Sequence, residues 1–317
     1  MKEWNFSSKY FLPLLFIVLI GLFAACSENA VDPSDTEPTT DQAALERIVD
    51  EDSPLTSFDY TFDEEEPQGF LGKISEEIFP IKVWQRMRLV HRTLDIEIVG
   101  DTIAYGLLTK TFEGVLFIKA AYDSASIEPD TLIQKPFTAV VTRNIIFIRV
   151  GRSPFPRHNW RIAAVSLPEG GTQSPNIDIK KLTAYLPNGD TLVIESPNDY
   201  YFRRGWGGWR DMPQIHPGDS VRLRVEVFSA YEEDDFVTLT FGVNKWIKQR
   251  SRKLFELVSS TPNGDGWDKV YEQTFEAHPW PGFFHAILNA MPRQVVFDDS
   301  TPVEAEAWGV PYVVHLH

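Results

Sequence analysis

The sequence predicts an all-β protein of two mostly antiparallel β-sandwich domains, preceded by an export signal, a tether and one short helix. Three observations carry that expectation. Short runs rich in β-branched and aromatic residues recur from Val83 onward, and VRLRVEVF (221–228) alternates apolar and polar residues without a break. Turn signals at NGD (188–190), HPGD (216–219) and NGDG (263–266) separate such runs at the spacing of sandwiches, not of folds that alternate strand and helix.

At the N-terminus, Lys2 and Lys9 precede an apolar run, YFLPLLFIVLIGLFAA, of signal-peptide length and too short for a comfortable membrane span. It ends in Phe23-Ala24-Ala25-Cys26, small residues directly before a cysteine. That ending resembles the lipobox of bacterial lipoproteins. The resemblance implies that residues 1–25 are removed and that Cys26 becomes a lipidated first residue, which places the protein in the bacterial cell envelope as an outer-membrane lipoprotein. Cys26 is the single cysteine of the 317 residues, so no disulfide can form within the chain.

Residues 26–40, low in apolar side chains and rich in Ser, Thr, Asp, Glu and Pro, have the composition of a flexible tether. DQAALERIVDED then sets Leu45, Ile48 and Val49 on one helical stripe, with Asp41 as the expected N-cap. Asp59 and Asp63–Glu66 form an acidic run with the pattern of a solvated loop. VWQRMRLV, LDIEIVGDTIAYGLL, GVLFIKAA and NIIFIRV read as strands, with Gly100-Asp101 as a hairpin turn. The N-terminal β domain is expected over 41–167, a linker over the Gly- and Pro-rich 168–175, and the second domain over 176–317. RSPFPRHN (152–159) is the alternative boundary.

In the second domain Val221, Leu223, Val225 and Val227 fall on one face of a strand and Arg222, Arg224 and Glu226 on the other. Val237, Leu239 and Phe241 repeat the pattern. NGDGWDKVYEQTF followed by PGFFHAILNA is similar to the closing strands of immunoglobulin-like domains of exported bacterial proteins, and this implies an immunoglobulin-like sandwich. Both faces of PGFFHAILNA are apolar, Phe284, Ala286 and Leu288 on one and Phe283 and Ile287 on the other, as a strand covered on two sides requires.

A formal net charge of −15 opposes nucleic-acid binding and electrostatic adhesion to anionic lipid. Membrane contact is therefore expected through the lipid at Cys26. No glycine-rich phosphate loop, G-x-S-x-G elbow or H-E-x-x-H helix is present, and no cofactor or metal is expected. His315 and His317 share a face at the chain end, His285 sits inside an apolar strand, and Asn263, Asp265 and Asp268 form a fragment of a calcium loop that turn chemistry also explains.

The strongest candidate site is DYYFRRGWGGWRDM (199–212), through Tyr201, Arg203, Arg204, Trp206, Trp209 and Arg210. Tryptophan and arginine between glycines suit a binding hot spot. They also suit a loop that pins itself over a sheet edge and pairs its arginines with the chain's acidic excess. The resulting expectation is a non-enzymatic binding or assembly module with an envelope protein or glycan partner. The alternative is a carbohydrate-binding or glycan-processing protein that stacks sugars on Trp206 and Trp209.

Overall fold

The computed structural model describes residues 37–52, 78–123, 128–205, 208–243 and 251–315. The expected signal, Cys26, most of the tether and the acidic run at 59–66 lie outside the described residues. The fold is an all-β sandwich, as expected. From Thr39 to His317 the chain forms one compact unit.

Helix α1 (Asp41–Glu51) is capped by Thr40, whose Oγ1 accepts a hydrogen bond from the Ala43 N–H at 3.2 Å. The expected cap, Asp41, is the first helical residue instead and pairs with Arg149. The predicted stripe holds: Leu45 and Val49 are fully buried and Ile48 packs beside them. Three further arginines hold the acidic end of the helix, through Arg92–Asp50, Arg157–Glu51 and Arg204–Asp52.

The runs read as several short strands merge into three long ones, β1 (Phe79–Val99), β2 (Ile103–Ala121) and β3 (Thr131–Arg149). Continuous antiparallel register joins them, interrupted in β1 by irregularities at Pro80/Lys82 and Leu89/His91. One face of β2, through Ala104, Leu108, Phe112, Leu116 and Ile118, is buried, and the alternate face stays half-open. Gly114 has no side chain because the Phe137 ring lies over it, 2.4 Å from where a Cβ would stand.

Strand β4 (Trp160–Ser166) pairs with the end of β3. The expected linker contains a strand, β5 (Glu169–Gly171), which pairs with β3 on one side. Next come β6 (Ile177–Tyr185), β7 (Thr191–Ile194), β8 (Tyr201–Gly205), β9 (Gly208–Trp209), β10 (Gln214–Ile215), β11 (Ser220–Ser229) and β12 (Asp235–Val243). The chain closes with β13 (Ser251–Leu254), β14 (Glu256–Asn263), β15 (Gly266–Glu276), β16 (Gly282–Pro292), the short helix α2 (Gln294–Phe297) and β17 (Glu306–Val314).

One sheet runs β13-β12-β16-β17-β5-β3-β4-β8-β9, with β2 and then β1 beside β3; the other runs β14-β15-β11-β6-β7. The main core lies between them, with Val221, Leu223, Val225 and Val227 of β11 facing Phe284, Ala286 and Leu288 of β16. Strand β16 lies between β12 and β17, and its two apolar faces are both covered, Phe284, Ala286 and Leu288 in the main core and Ile287 against Phe112, Val141 and Ala307. The segment expected as a linker, 168–175, holds β5 in the sheet: its other side pairs with β17, so one continuous sheet includes strands from both sides of that segment.

Buried polar groups tie the layers. Lys269 of β15 and Asp235 of β12 form a fully buried pair at 3.0 Å, and Asp235 also accepts from Ser229 and from the Tyr271 hydroxyl. Burial pushes the Asp235 carboxyl up and the Tyr271 phenol strongly up. Lys135 of β3 donates to the carbonyls of Val295 and Thr301 at 2.8 and 2.7 Å, and also to that of Asp298, fixing the segment around α2.

The β5 bridge generates a prediction. A Cβ on Gly171 would stand 2.1 Å from the Ala305 carbonyl oxygen, and one on Gly170 would stand 2.1 Å from that of Val140. Gly171→Ala is expected to cost about 3 kcal/mol in thermal or denaturant unfolding, because the β17 backbone at Ala305 and Glu306 must move. Gly189→Ala, at a turn with open space around it, is the control and is expected to cost about 1 kcal/mol from its positive φ alone.

Candidate functional site

Residues 201–205 and 208–209 pair as two short antiparallel strands. β8 pairs with β4 through Ala164↔Arg203 and Ser166↔Tyr201, and β9 folds back on it through Arg204↔Trp209. Tyr201, Arg203, Arg204 and Trp209 each find a partner within the protein. Arg203 grips Asp211 with two hydrogen bonds, at 2.6 and 2.9 Å. Arg204 pairs with Asp52 while its guanidinium lies 5.1 Å from the centre of the Trp209 ring. Trp209 is half-buried against both the main core and the cluster under α1. Tyr201 is half-buried beside Asn144, and burial raises its phenol. Arg210 is exposed and lies across Gly205, where a Cβ would meet its Nε at 2.5 Å. Trp206 lies outside the described residues. The described part of this segment covers the β4 edge.

Other residues singled out from the sequence take structural places. His285 is buried, edge-on to Phe283 at 4.8 Å, and burial with Arg143 nearby drives its imidazole down to about 3, so it is neutral at physiological pH. His315 stacks on His216 at 5.1 Å, and His317 lies outside the described residues. Asn263 Nδ2 donates to Asp268 at 2.7 Å across the β14–β15 turn. Among the described residues no group of three or more His, Cys, Asp or Glu is placed to hold a metal ion.

The site with the shape of a binding surface lies on the half-open face of β1, β2 and β3. Alternation puts Lys82, Trp84, Arg86 and Arg88 of β1 on this face, opposite Lys119, Phe117, Val115 and Glu113 of β2. Trp84 and Phe117 stack nearly parallel, 9° apart, with centroids 5.1 Å from each other. The Lys82 and Lys119 ammonium groups sit 5.4 and 6.0 Å from the Trp84 ring centre, and the Arg86 guanidinium 5.8 Å from that of Phe117. Next to this pair the face dips into an open cavity of about 680 Å³. Its walls are two cross-strand rows, Arg86-Val115-Pro136 and Arg88-Glu113-Thr138, and its floor is the backbone around Gly114. Volume and mixed lining are those of a small-ligand cleft.

The signal for this face is present in the sequence as cation, aromatic, cation, cation at period two in β1. It passes unnoticed there because VWQRMRLV has no glycine or turn residue to mark it as a loop. Its partner Phe117 stands 33 residues later, and only register brings the rings together.

A second cavity, of about 350 Å³, opens beside β5 and is lined by Glu169, Asp178, Asn198 and Glu306 among others. Glu306 accepts from the Ile179 N–H at 2.5 Å and from Trp308 Nε1 at 2.8 Å. Burial, with Asp178 and Glu169 adding to it, pushes its carboxyl up to about 7, and burial also raises Glu169. Glu306 Oε2 ties β17 to β6 and Oε1 holds the Trp308 indole within β17, so the group acts on stability. No protein-family model matches the chain, and no match to it is found among curated proteins.

Two predictions belong to these sites. Trp209→Ala is expected to lower stability by about 2–3 kcal/mol in thermal unfolding, since it removes a ring packed on two clusters and a cation partner of Arg204. An unchanged melting temperature would return the hairpin to the role of a recognition loop. For Glu306 the folded form binds the proton more tightly than the unfolded chain, so its contribution is complete below about pH 4.5 and is lost as pH rises through about 7. Stability is expected to fall by about 3 kcal/mol over that window, and Glu306→Gln to flatten the fall.

Proposed function

We propose that the protein is a non-enzymatic binding module of the bacterial cell envelope, held to the membrane by lipid on Cys26 and displayed on the tether 26–40, with its ligand surface on the open face of β1, β2 and β3. The observation that carries this reading is the stacked Trp84–Phe117 pair beside an open cavity of about 680 Å³. No described element covers that face. Rigid aromatic rings supply contact area at small entropic cost, and long paired strands hold them in fixed positions. The alternative, sugar stacking on the Trp206–Trp209 segment, is less well supported, because Trp209 is packed into the fold and the neighbouring arginines are engaged by Asp52 and Asp211.

The test uses two changes. Cys26→Ser removes the thiol that takes the lipid and is expected to move the protein from the membrane fraction to the soluble one. The soluble form is then sedimented with isolated envelopes. Trp84→Ala with Phe117→Ala is expected to weaken co-sedimentation tenfold or more, the scale of losing about 1.4 kcal/mol. Equal retention by that variant, with its melting temperature recorded alongside, would remove the face from consideration.

A further inference from the structure

We infer that the open face binds an acidic saccharide, whose ring lies beside the Trp84–Phe117 pair and whose anionic group lies between Lys82 and Lys119; the inference rests on the binding-module reading. Lys82 and Lys119 are direct cross-strand partners. Like charges so placed oppose each other and weaken the strand pair. Elsewhere in this acidic chain cations meet carboxylates, as around α1, where four arginines meet Asp41, Asp50, Glu51 and Asp52. Among the described residues Lys82 and Lys119 form no ion pair; what they share is the Trp84 ring. A carboxylate, sulfate or phosphate between the two ammonium groups would turn this repulsion into two attractions.

The size and kind of ligand follow from how charge is distributed on the face. Lys82, Lys119 and Arg86 gather at one end, next to Arg88, which Glu113 pairs at 2.7 Å, whereas Asp95 and Glu97 lie on the same face toward the β1–β2 turn, opposite Leu107 and Tyr105. A nucleic-acid strand needs cations along its whole track, and a charge of −15 opposes its approach. Attraction to an anionic bilayer likewise grows with each added basic residue, and here acidic groups share the surface. One anionic group beside an aromatic pair whose outer ring faces carry Lys82, Lys119 and Arg86 fits what is present. Charged sugars offer that combination, through the axial C–H faces of the ring and a charged substituent at its rim.

The soluble Cys26→Ser protein should bind immobilised polygalacturonate or dextran sulfate and not the neutral glucan pullulan. Binding should weaken as salt rises from 50 to 200 mM. Lys82→Gln with Lys119→Gln should reduce affinity tenfold or more while leaving the melting temperature unchanged or slightly raised, because a repulsion is removed. Two additional arms separate the sources of the anion: vesicles of phosphatidylglycerol, which carry anionic groups without a charged sugar ring, and single-stranded DNA. Preferential binding to either, binding to pullulan equal to that to the acidic polymers, or no binding to the acidic polymers would overturn the inference. If envelope binding is lost in the Trp84→Ala, Phe117→Ala protein yet untouched by the lysine changes, the acidic ligand is wrong and the binding module stands.

Discussion

Strand β5 is three residues long, and the architecture turns on it. The long strands β1–β3 and the sandwich strands β16 and β17 belong to one sheet because Glu169–Gly171 pairs with β3 on one side and β17 on the other. A third strand can enter such a gap only if its side chains leave room for both neighbours. Gly170 and Gly171 meet that condition, each with a neighbouring carbonyl oxygen 2.1 Å from where a Cβ would stand. The same pairing sets Glu169 diagonally across from Glu306 on one sheet face, where burial raises both carboxyls and Glu169 adds a minor contribution to that of Glu306.

The two layers are coupled by groups that are costly to separate. Asp235 and Lys269 are both fully buried, and their attraction in a dry interior offsets the loss of water only while both are present and hydrogen-bonded. Ser229 and Tyr271 supply the remaining bonds, so the network has a single satisfied arrangement, with β12 and β15 at fixed positions. Lys135 does comparable work on the reverse of the binding face, where its ammonium group gathers carbonyls from the segment around α2. The exposed face of β1–β3 therefore stands on a support fixed from beneath.

Local signals in the sequence were read well and long-range ones were not. The stripe Leu45, Ile48, Val49, the alternation of Val221 to Val227 and the two apolar faces of 282–291 each report how one segment meets its surroundings, and each is found as read. The expected linker shows the opposite case. Gly170 and Gly171 carry the composition of a loose connection, yet their glycines serve close approach between strands, a use that composition cannot distinguish from flexibility. The Trp- and Arg-rich segment is ambiguous in sequence for a related reason: a ring and a guanidinium suit a ligand or a sheet edge equally, and Asp52, which pairs with Arg204, lies 152 residues away. Trp84 and Phe117 stayed hidden because a cross-strand pair is a property of register.

The position of the cations on β1 has a further physical consequence. Among the described residues β1 pairs with β2 alone, so its outer edge presents unsatisfied backbone groups along a strand of 21 residues. Such an edge invites pairing with another chain, the more so because Ile81, Leu89, Val90, Ile98 and Val99 are exposed on it. Lys82, Arg86, Arg88 and the irregularities at Pro80/Lys82 and Leu89/His91 oppose that outcome, by charge and by breaking the flat ladder. Removing these cations would thus free the edge as well as empty the face. An acidic ligand would have the same effect on charge while adding bulk beside the edge, so occupancy of the face and protection of the edge are compatible. The long strands can then carry an open aromatic surface without that surface becoming a site of self-association.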